Sequence, residues 1–519
     1  MSASSIPRQN IPHPPSSPLL TRFARVPAWC WLLLIALGLR LFRLGTESLW
    51  YDELGTAWIA KLNYSAMLAT LRVYDVHPPL WYSIVWLVEH TLGNSEFLLR
   101  LPAAVFGTGA VLLLWRIAGQ LGFEPRTALV AGLIAAVFPG ILYYSQEARM
   151  YTLLMCATLG AIWAILSNRW AWFALCGVAI VYSHNLGLLY VGVLGSAVLL
   201  LRLPRPWLPM HPALLWKAWR GPLLALIVIG LCWLPWLPSF LEQARGVKNG
   251  FWLSSLSLVG LIEPYIELPM GIRSVLTIDL SAYTAALAIS VVSVWFSRKW
   301  LFRDNNGRLI AALLFGMPLT LAVISWVWQP IYLARSMIGA VVLLALLWAW
   351  FLCHARKLDR QTALWILTPM LAITLINEYL PAKQGRDPVR DHVATVTQQW
   401  QPGDVAYFTS FWTVTVDDYY LGDRPYAVRP NSADGSFWHP NGVLLGSLMD
   451  FRQADFDHLR VLGYKRAWFM VSLSALSDPH EPDAIATILN ANPYRLFYHY
   501  RAEDGSDISV YLINLYPEF

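Results

Sequence analysis

The sequence predicts a polytopic α-helical membrane protein with a soluble α/β domain at its C-terminal end. Of the 519 residues, 57% are hydrophobic and only 13% are charged, which is far more apolar than a soluble globular protein. Apolar stretches long enough to cross a bilayer recur as far as residue 380, and beyond it charged residues mix with short apolar runs. The change in composition near residue 380 therefore predicts two regions.

Eleven apolar stretches are candidates for membrane-spanning helices, since a crossing needs roughly 20 residues. They lie near residues 27–44, 98–118, 127–145, 149–167, 170–185, 186–203, 221–240, 276–297, 309–328, 332–354 and 361–380. A further stretch, 79–92, is short, begins at Pro78-Pro79 and contains Glu89 and His90. We expect an interfacial helix there.

The positive charges predict how these spans are oriented. With the N-terminus inside, every inside connection is basic, as the positive-inside rule requires. The inside cations are Arg8, Arg22, Arg25, Arg116, Arg126, Arg169, Arg202, Arg205, Lys217, Arg220, Arg298, Lys299, Arg303, Arg308, Arg356, Lys357 and Arg360. This scheme makes residues 1–26 a disordered cytoplasmic tail, and it puts the loop 45–97, with its interfacial helices, and the domain 381–519 outside.

The region after residue 380 reads as an α/β domain that begins with a linker at 381–388. Alternating and β-branched residues predict strands at 405–411, 466–472, 494–500 and 508–515. Helical patterns occur near 390–400 and 480–491.

Several other classes of protein or site are not indicated. The net charge is +6, but the Lys and Arg residues are scattered between hydrophobic runs, so no nucleic-acid partner is predicted. The five cysteines show no paired spacing, which argues against disulfides or a metal site built on thiols. A phosphate loop and a nucleotide-binding glycine fingerprint are both missing from the sequence, so a soluble nucleotide-sugar site is not expected.

Polar motifs gather on the predicted outer face. The pair Asp52-Glu53 directly follows the first span, and charges so close to a bilayer are costly enough to suggest a function. His77-Pro78-Pro79-Leu80, the stretch 145–151 and the stretch 329–335 lie on the same face in this scheme. Displacing a phosphate from a sugar needs a base for the acceptor and cations for the departing charge. The motifs supply both kinds of group.

Each acid has an expected role and an alternative. Asp52 is the expected general base, and a helix N-cap is the alternative. Glu53 would orient the acceptor or bind a cation, or else lie on a solvated face. Glu147 is a second candidate acid, and an ion pair with Arg149 that ties two helices together is the competing interpretation. The sequence assigns no cofactor with certainty, and a divalent cation near Asp52 and Glu147 is left open.

Arginines at the outer ends of spans suit a donor phosphate, because a guanidinium can donate to it with two parallel N–H groups. Arg149 and Arg335 are the expected ligands, although Arg335 could instead snorkel to the lipid headgroups. Arg245 and Lys248 are further candidate phosphate ligands, since they lie in the long 241–275 loop, which we expect to close over the lipid phosphate.

Three further residues are expected to orient substrate. They are His77, Tyr151 and Tyr332. The two prolines after His77 make its turn rigid, and a structural hydrogen-bonding role is the alternative for this histidine.

Taken in order, these motifs resemble the bacterial branch of the protein O-mannosyltransferase and lipid A aminoarabinose transferase superfamily, a group similar to glycosyltransferase family 39. The resemblance covers about residues 30–380. It rests on the acidic pair, His-Pro-Pro-Leu, Leu-Leu-Arg-Leu-Pro, Ser-Gln-Glu-Ala-Arg-Met-Tyr and a Tyr-x-x-Arg turn. Where the mannosyltransferases have Pro-Pro-Leu-Gly-Lys, this chain has Pro-Pro-Leu-Trp, so their acceptor is not implied.

The resemblance implies a GT-C fold and a glycosyltransferase that uses a polyprenyl-phosphate sugar. It implies a catalytic domain at 27–380 in the bacterial inner membrane, an inverting transfer at the periplasmic face to a lipid, glycan or protein, and Asp52 as the base. A transporter or flippase of a lipid-linked saccharide is the alternative from another class. A polymerase or ligase that uses a diphosphate-linked donor is the third.

Overall fold

In a computed structural model the chain is a mostly helical, multi-span membrane protein with a C-terminal mixed β-sheet. The structure describes residues 26–203, 212–249, 253, 255–271, 279–379, 389–408, 419–428, 442–444, 453–473, 481–501 and 507–516. The predicted N-terminal tail up to residue 25 and the predicted linker at 381–388 lie outside the described residues.

The helices of the membrane region follow one another with short connections. They are α1 Ala28–Leu41, α2 Tyr51–Lys61, α3 Tyr64–Tyr74, α4 Leu80–Thr91, α5 Glu96–Gln120, α6 Pro125–Val137, α7 Pro139–Ser145, α8 Tyr151–Leu166, α9 Trp170–Ser183, α10 Gly187–Leu201, α11 Pro212–Trp233, α12 Leu237–Asn249, α13 Pro264–Met270, α14 Asp279–Arg303, α15 Asn305–Val327, α16 Ile338–Val341, α17 Leu344–His354 and α18 Lys357–Glu378. Local chemistry explains many starts: Asn63, Ser95 and Asp304 cap their helices, and Pro125 and Pro139 occupy first helical positions.

Each of the eleven predicted apolar stretches coincides with a helix or a bent helix pair. In the described part of the chain, four helices are long and apolar enough to cross a membrane, and two bent pairs raise that number to six if each pair is one span. The shorter apolar helices are Ala28–Leu41, Tyr151–Leu166, Trp170–Ser183 and Gly187–Leu201. The number of eleven crossings stays a prediction.

The bend between α6 and α7 shapes one end of the bundle. The two helices meet at 62°, with Pro139 starting the second. The buried Arg40 of α1 fills this corner, donating from Nη1 to the Ala136 carbonyl and from Nε to Ser145 Oγ. Gln146 Nε2 donates to three carbonyls at the end of α1. The first two residues of the 145–151 motif thus serve the fold, because backbone carbonyls away from water need donors.

Helices occupy much of the 45–97 segment and part of the described residues of the 241–275 segment. Between residues 45 and 97 the chain forms α2, α3 and α4, and α4 has only 12 residues. A helix of that length extends about 18 Å, well short of the roughly 30 Å core of a bilayer. Helices α12 and α13 occupy much of the segment that the sequence suggested was an open loop.

The C-terminal region contains a six-stranded sheet in the order β3-β2-β1-β4-β6-β5. The strands β1–β4 pair in parallel, and β6 is antiparallel to both β4 and β5. Its elements are α19 Val389–Gln398, β1 Asp404–Phe408, β2 Tyr426–Val428, β3 Gly442–Leu444, α20 Gln453–Val461, β4 Arg466–Leu473, α21 Glu481–Ala491, β5 Tyr494–Arg501 and β6 Asp507–Asn514. The four predicted strands and two predicted helices are present; β2, β3 and α20 were not predicted. Residues 409–411 of the first predicted strand lie outside the described residues.

Candidate active site

Asp52 lies between two guanidinium groups. Its Oδ2 atom is 3.6 Å from Arg335 Nη2 and 3.9 Å from Arg149 Nη2. The residue sits inside the first turn of α2, whose N-cap is Trp50, so the alternative that Asp52 is a helix cap is wrong. The structure therefore brings Asp52 together with two of the three arginines that the sequence singled out, Arg149 and Arg335.

Arg149 is buried and reaches α2 from the turn before α8. Its Nη1 atom donates to the Asp52 carbonyl at 3.3 Å, to Thr56 Oγ1 at 3.0 Å and to Tyr82 Oη at 3.3 Å. The side chain is only 6% exposed. Arg149 thus turns toward Asp52 and α4 and holds a positive charge beside the candidate base.

Arg335 lies on a short 3₁₀ turn, Ala334–Met337, before the second bent helix pair. Its guanidinium faces Asp52 and lies 5.6 Å from the Tyr151 ring and 6.0 Å from the Trp50 ring. Aromatic faces attract a cation at such distances. These inward contacts do not fit an arginine that snorkels to the headgroups.

Several buried donors around Asp52 have no acceptor in the described part of the chain. They are the Nε atoms of Arg149 and Arg335 and the indole Nε1 of Trp50. A buried donor that is left without an acceptor costs about 1–3 kcal/mol, and more when it is charged. An anion with several oxygens would satisfy these groups together.

Glu53 has a different environment from Asp52. It forms a two-pronged ion pair with Arg100: Nε donates to Oε1 at 2.7 Å and Nη2 donates to Oε2 at 2.6 Å. The backbone amides of Ala148 and Trp50 also donate to its carboxylate. Both side chains are buried, at 0% and 1% exposure. Because both oxygens already accept hydrogen bonds, we propose that Glu53 positions α2 against the 145–151 turn and does not orient the acceptor.

Arg100 is the ion-pair partner of Glu53, a contact that the motifs did not predict. Beyond Glu53, it donates to the carbonyls of Leu44, Glu47 and Ser48. One feature of the sequence could have indicated that Arg100 has a partner: it lies in the first turns of an apolar span, in Leu-Leu-Arg-Leu-Pro, where an unpaired charge is costly. Its partner was not evident from local spacing.

Shortening the Glu53 side chain should weaken its contacts with the 145–151 turn and the start of α2. We expect Glu53→Asp to keep the charge beside Arg100 but to lose contacts to the Ala148 and Trp50 amides, because the side chain is one methylene shorter. The expected cost is about 1–3 kcal/mol of unfolding free energy. Thermal unfolding in detergent measures it, with Glu124→Asp at an exposed position as the control. Equal stability of Glu53→Asp and the parent would contradict the positioning role.

A network of hydrogen bonds leads from Arg149 to His77. Tyr82, which accepts from Arg149, donates to Asp75 Oδ2, and Asp75 Oδ1 lies 2.6 Å from His77 Nδ1. Burial alone would raise the pKa of Asp75, but His77, Arg149 and Tyr82 hold that pKa well below its usual range. Burial lowers the pKa of His77 despite the adjacent Asp75. At neutral pH the pair is therefore a carboxylate and a neutral imidazole whose Nδ1–H donates to it.

The stretch Ser183-His184-Asn185, between α9 and α10, packs against this hydrogen-bonded network. The ring of His184 lies 5.2 Å from that of His77, edge to face. Asn185 Nδ2 donates to the Val76 carbonyl and to Gln243 Oε1 on α12. The connection between α9 and α10 thus supports the turn that presents His77.

Glu147 and Tyr151 lie on the Arg335 side of the site. Glu147 is fully buried and interacts electrostatically with Arg335. Tyr151 is 2% exposed, and its ring lies next to the guanidinium. Tyr332 has another role in the structure: its hydroxyl donates to the Leu261 carbonyl and ties the segment before α13 to the 329–335 turn.

A third acid, Glu267 on α13, also lies near Arg335 and was not predicted. Tyr144 Oη donates to its Oε1 at 3.0 Å. Burial raises the pKa of Glu267 to about 7, although the Tyr144 hydrogen bond and Arg335 act in the opposite direction. Gly140 permits this approach, because a Cβ atom there would lie 2.5 Å from the Glu267 carbonyl oxygen.

Two predicted phosphate ligands stay apart from this cluster. Arg245 and Lys248 are exposed on α12, and among the described residues neither side chain contacts Asp52 or its arginines. A divalent cation also finds no evident site: the described residues contain no group of three or more His, Cys, Asp or Glu side chains that could hold one. Asp52 faces two positively charged arginines, and this setting suits an anion better than a divalent metal ion.

Comparisons with known proteins agree with the resemblance found in the sequence. Residues 76–236 match the family described as dolichyl-phosphate-mannose-protein mannosyltransferase. The undecaprenyl phosphate-alpha-4-amino-4-deoxy-L-arabinose arabinosyl transferase of Pseudomonas aeruginosa (strain LESB58) is 30% identical over 247 residues. That alignment covers 43% of this chain and 42% of the relative, so it spans less than half of either protein.

Solved structures resemble the chain over nearly its full length. ArnT from Cupriavidus metallidurans in the apo state has a TM-score of 0.61 at 14% identity, covering 95% of this chain and 98% of that one. The same protein bound to undecaprenyl phosphate gives a TM-score of 0.57 at 14% identity, covering 93% and 98%. The predicted fold, a helical membrane region followed by a C-terminal α/β region, is confirmed.

Proposed function

We propose that this chain, which is similar to the dolichyl-phosphate-mannose-protein mannosyltransferases and to an undecaprenyl phosphate-dependent aminoarabinose transferase, is a GT-C glycosyltransferase that transfers a sugar from a polyprenyl-phosphate donor to an acceptor. Two similar proteins support this donor class: one is named for an undecaprenyl phosphate-linked amino sugar, and the other was solved with undecaprenyl phosphate.

One observation carries the proposal: Asp52 shares its surroundings with two arginines whose buried Nε atoms have no acceptor among the described residues. Arg149 and Arg335 can donate to a phosphate, while Asp52 is left free to accept a proton. Each guanidinium is already held by aromatic or hydroxyl groups, so little side-chain freedom is lost when a phosphate binds.

This arrangement supports a single-displacement reaction. An acceptor hydroxyl attacks the anomeric carbon from the side opposite the phosphate, and its proton passes to an Asp52 oxygen. The bond between the anomeric carbon and the phosphate oxygen breaks, and its electron pair leaves on polyprenyl phosphate. Arg149 and Arg335 stabilise the charge that develops on this leaving group. The configuration at the anomeric carbon is inverted, because there is a single displacement.

The remaining predicted residues take supporting roles in this proposal. His77, held by Asp75 with Nδ1–H donating, presents Nε2 as an acceptor for a substrate hydroxyl. Glu147 and Tyr151 shape the surroundings of Arg335. Arg245 and Lys248, exposed on α12, would attract the lipid phosphate before it enters the site.

A panel of donors tests the function. The purified protein in lipid nanodiscs is incubated with undecaprenyl-phosphate pentoses and hexoses, and release of undecaprenyl phosphate is measured together with loss of the donor. We expect cleavage of at least one monophosphate-linked sugar. Cleavage of diphosphate-linked donors alone would favour a polymerase or ligase. Movement of an intact lipid-linked sugar between leaflets, without cleavage, would favour a flippase.

The orientation in the membrane is a separate prediction. We expect the N-terminus in the cytoplasm and residues 45–97 and the C-terminal domain outside, because the inside connections are basic. The C-terminal region contacts Thr46, Leu49 and Asn94, which supports placing it on the same side of the membrane as residues 45–97. Reporter fusions at the C-terminus check it, with a fusion after Arg169 as the inside control. A C-terminal fusion that is active only as a cytoplasmic reporter would overturn the scheme.

A further inference from the structure

The short loop before Asp52, residues 44–50, is held by side chains from the C-terminal region. Tyr420 Oη accepts a hydrogen bond from the Leu49 amide at 2.8 Å. Arg390 Nη2 donates to the Thr46 carbonyl at 2.6 Å. Residues more than 340 positions away in the chain therefore touch the loop only a few residues before the candidate base.

Glu96 joins these two contacts to the membrane region. Its Oε1 atom lies 3.1 Å from Arg390 Nη1 and accepts from Tyr420 Oη at 3.3 Å. Glu96 stands in the first turn of α5, where a negative charge interacts well with the helix dipole. We call Tyr420, Arg390 and Glu96 the loop clamp.

The opposite side of the same loop is held from within the membrane region. Arg100 donates to the Leu44, Glu47 and Ser48 carbonyls, and Glu53 accepts from the Trp50 amide. The amides of Leu49 and Trp50 are consecutive, so Tyr420 and Glu53 hold neighbouring peptide groups. The conformation that leads into α2 thus depends on both regions.

The position of Asp52 is sensitive to this loop. Asp52 is the second residue of α2, and its carboxylate lies 3.6 Å and 3.9 Å from the two arginines. A displacement of 1 Å can cost about 10²-fold in rate when it misplaces a reacting group. The clamp can therefore influence the reaction without touching substrate.

Of the three clamp residues, Tyr420 is expected to contribute most to holding the 44–50 loop. The Arg390 side chain of its ion pair with Glu96 is 40% exposed, and exposed pairs contribute little. Tyr420 is partly buried, packs edge to face on Tyr419, and its hydroxyl bridges Leu49 and Glu96. Tyr419 also donates to the Asn94 carbonyl, which fixes the pair of rings against the start of α5.

We propose that Tyr420 is a positioning residue for Asp52, so that the C-terminal domain completes the active site of the membrane domain. The inference rests on the proposed glycosyl transfer for its effect on rate. Its structural part, control of the 44–50 loop by Tyr420, stands independently of that reaction.

The test compares Tyr420→Phe with the parent protein. The substitution keeps the ring and removes the one oxygen that bridges the loop and α5. We expect kcat with a cleaved donor to fall by about 10- to 100-fold, while KM for the donor stays within about twofold, because no phosphate ligand is changed. Tyr494→Phe, at an exposed position on β5 of the same domain, is the matched control and should behave as the parent.

Hydrogen–deuterium exchange supplies a readout that does not depend on activity. In Tyr420→Phe we expect faster exchange in peptides that cover residues 44–50, and unchanged exchange in peptides from α8. Glu96→Gln, which weakens the same bridge, should reproduce this change, and the double variant should add little to either single variant.

Two results would overturn the inference. One is unchanged exchange at residues 44–50 in Tyr420→Phe. The other is faster exchange with kcat at the parent value, which would make the contact a docking interaction only. If no donor is cleaved by the parent protein, the proposed function fails, and the exchange result still decides whether Tyr420 holds the loop.

Discussion

Asp52→Asn is expected to fold like the parent protein and to lose activity by about 10²–10⁴-fold, the usual cost of removing a general base. The amide has nearly the shape of the carboxylate, but it cannot take the acceptor's proton. Rates of undecaprenyl phosphate release, measured with a donor that the parent cleaves, check this expectation.

The control for Asp52→Asn separates chemistry from folding. Asp359→Asn makes the same change at an exposed position at the start of α18, and it should keep the parent rate. Thermal unfolding in detergent should be similar for both variants. A well-folded Asp52→Asn that turns over near the parent rate would move the search for the base to Glu147, because both oxygens of Glu53 accept from Arg100 and backbone amides.

Arg335→Ala is expected to weaken binding of a non-hydrolysable polyprenyl-phosphate analogue by about 2–5 kcal/mol, the usual cost of removing one partner of a buried charged contact. That range is roughly a 30- to 4,000-fold rise in Kd. Arg335→Lys should also weaken binding despite its charge, because an ammonium cannot replace the planar pair of N–H donors and loses the contacts with the Trp50 and Tyr151 rings.

A direct affinity measurement on the parent and both variants decides the role of Arg335. Arg308→Lys, at the exposed start of α15, is the matched control and should bind as the parent does. Equal affinity in Arg335→Ala, Arg335→Lys and the parent would remove Arg335 from the donor site. Arg149 would then be the remaining candidate in contact with Asp52.

Much of the membrane region could be predicted because its signals are local. Apolar stretches of the required length identified every helix from α5 to α11, and Pro78-Pro79 with Glu89 marked α4 as a short interfacial helix. The C-terminal strands β4, β5 and β6 were predicted within two residues at each end. The three-residue strands β2 and β3 were missed, since so short a run has no clear periodicity.

The candidate site could be predicted only in part. Asp52 was chosen because a charged group near a bilayer is costly, and Arg149 and Arg335 were chosen because guanidinium groups suit a phosphate; the structure places the three together. Tyr332, in the Tyr-x-x-Arg turn, was expected to orient substrate, and its hydroxyl donates to the Leu261 carbonyl. A motif marks a region of the chain, but it does not show which of its side chains face the site.

The sequence by itself determined the class of protein, the positions of the helices and the kinds of charged groups at their outer ends. These follow from composition and from patterns within about twenty residues. The partners were decided only by the tertiary structure: Glu53 with Arg100, Asp75 with His77 and Tyr82, and Leu49 with Tyr420. The adjacent acids Asp52 and Glu53 have the same intrinsic chemistry, and only the packing of the helices gives them different partners. Glu53 is buried against Arg100. Asp52 faces two arginines whose Nε atoms have no acceptor among the described residues.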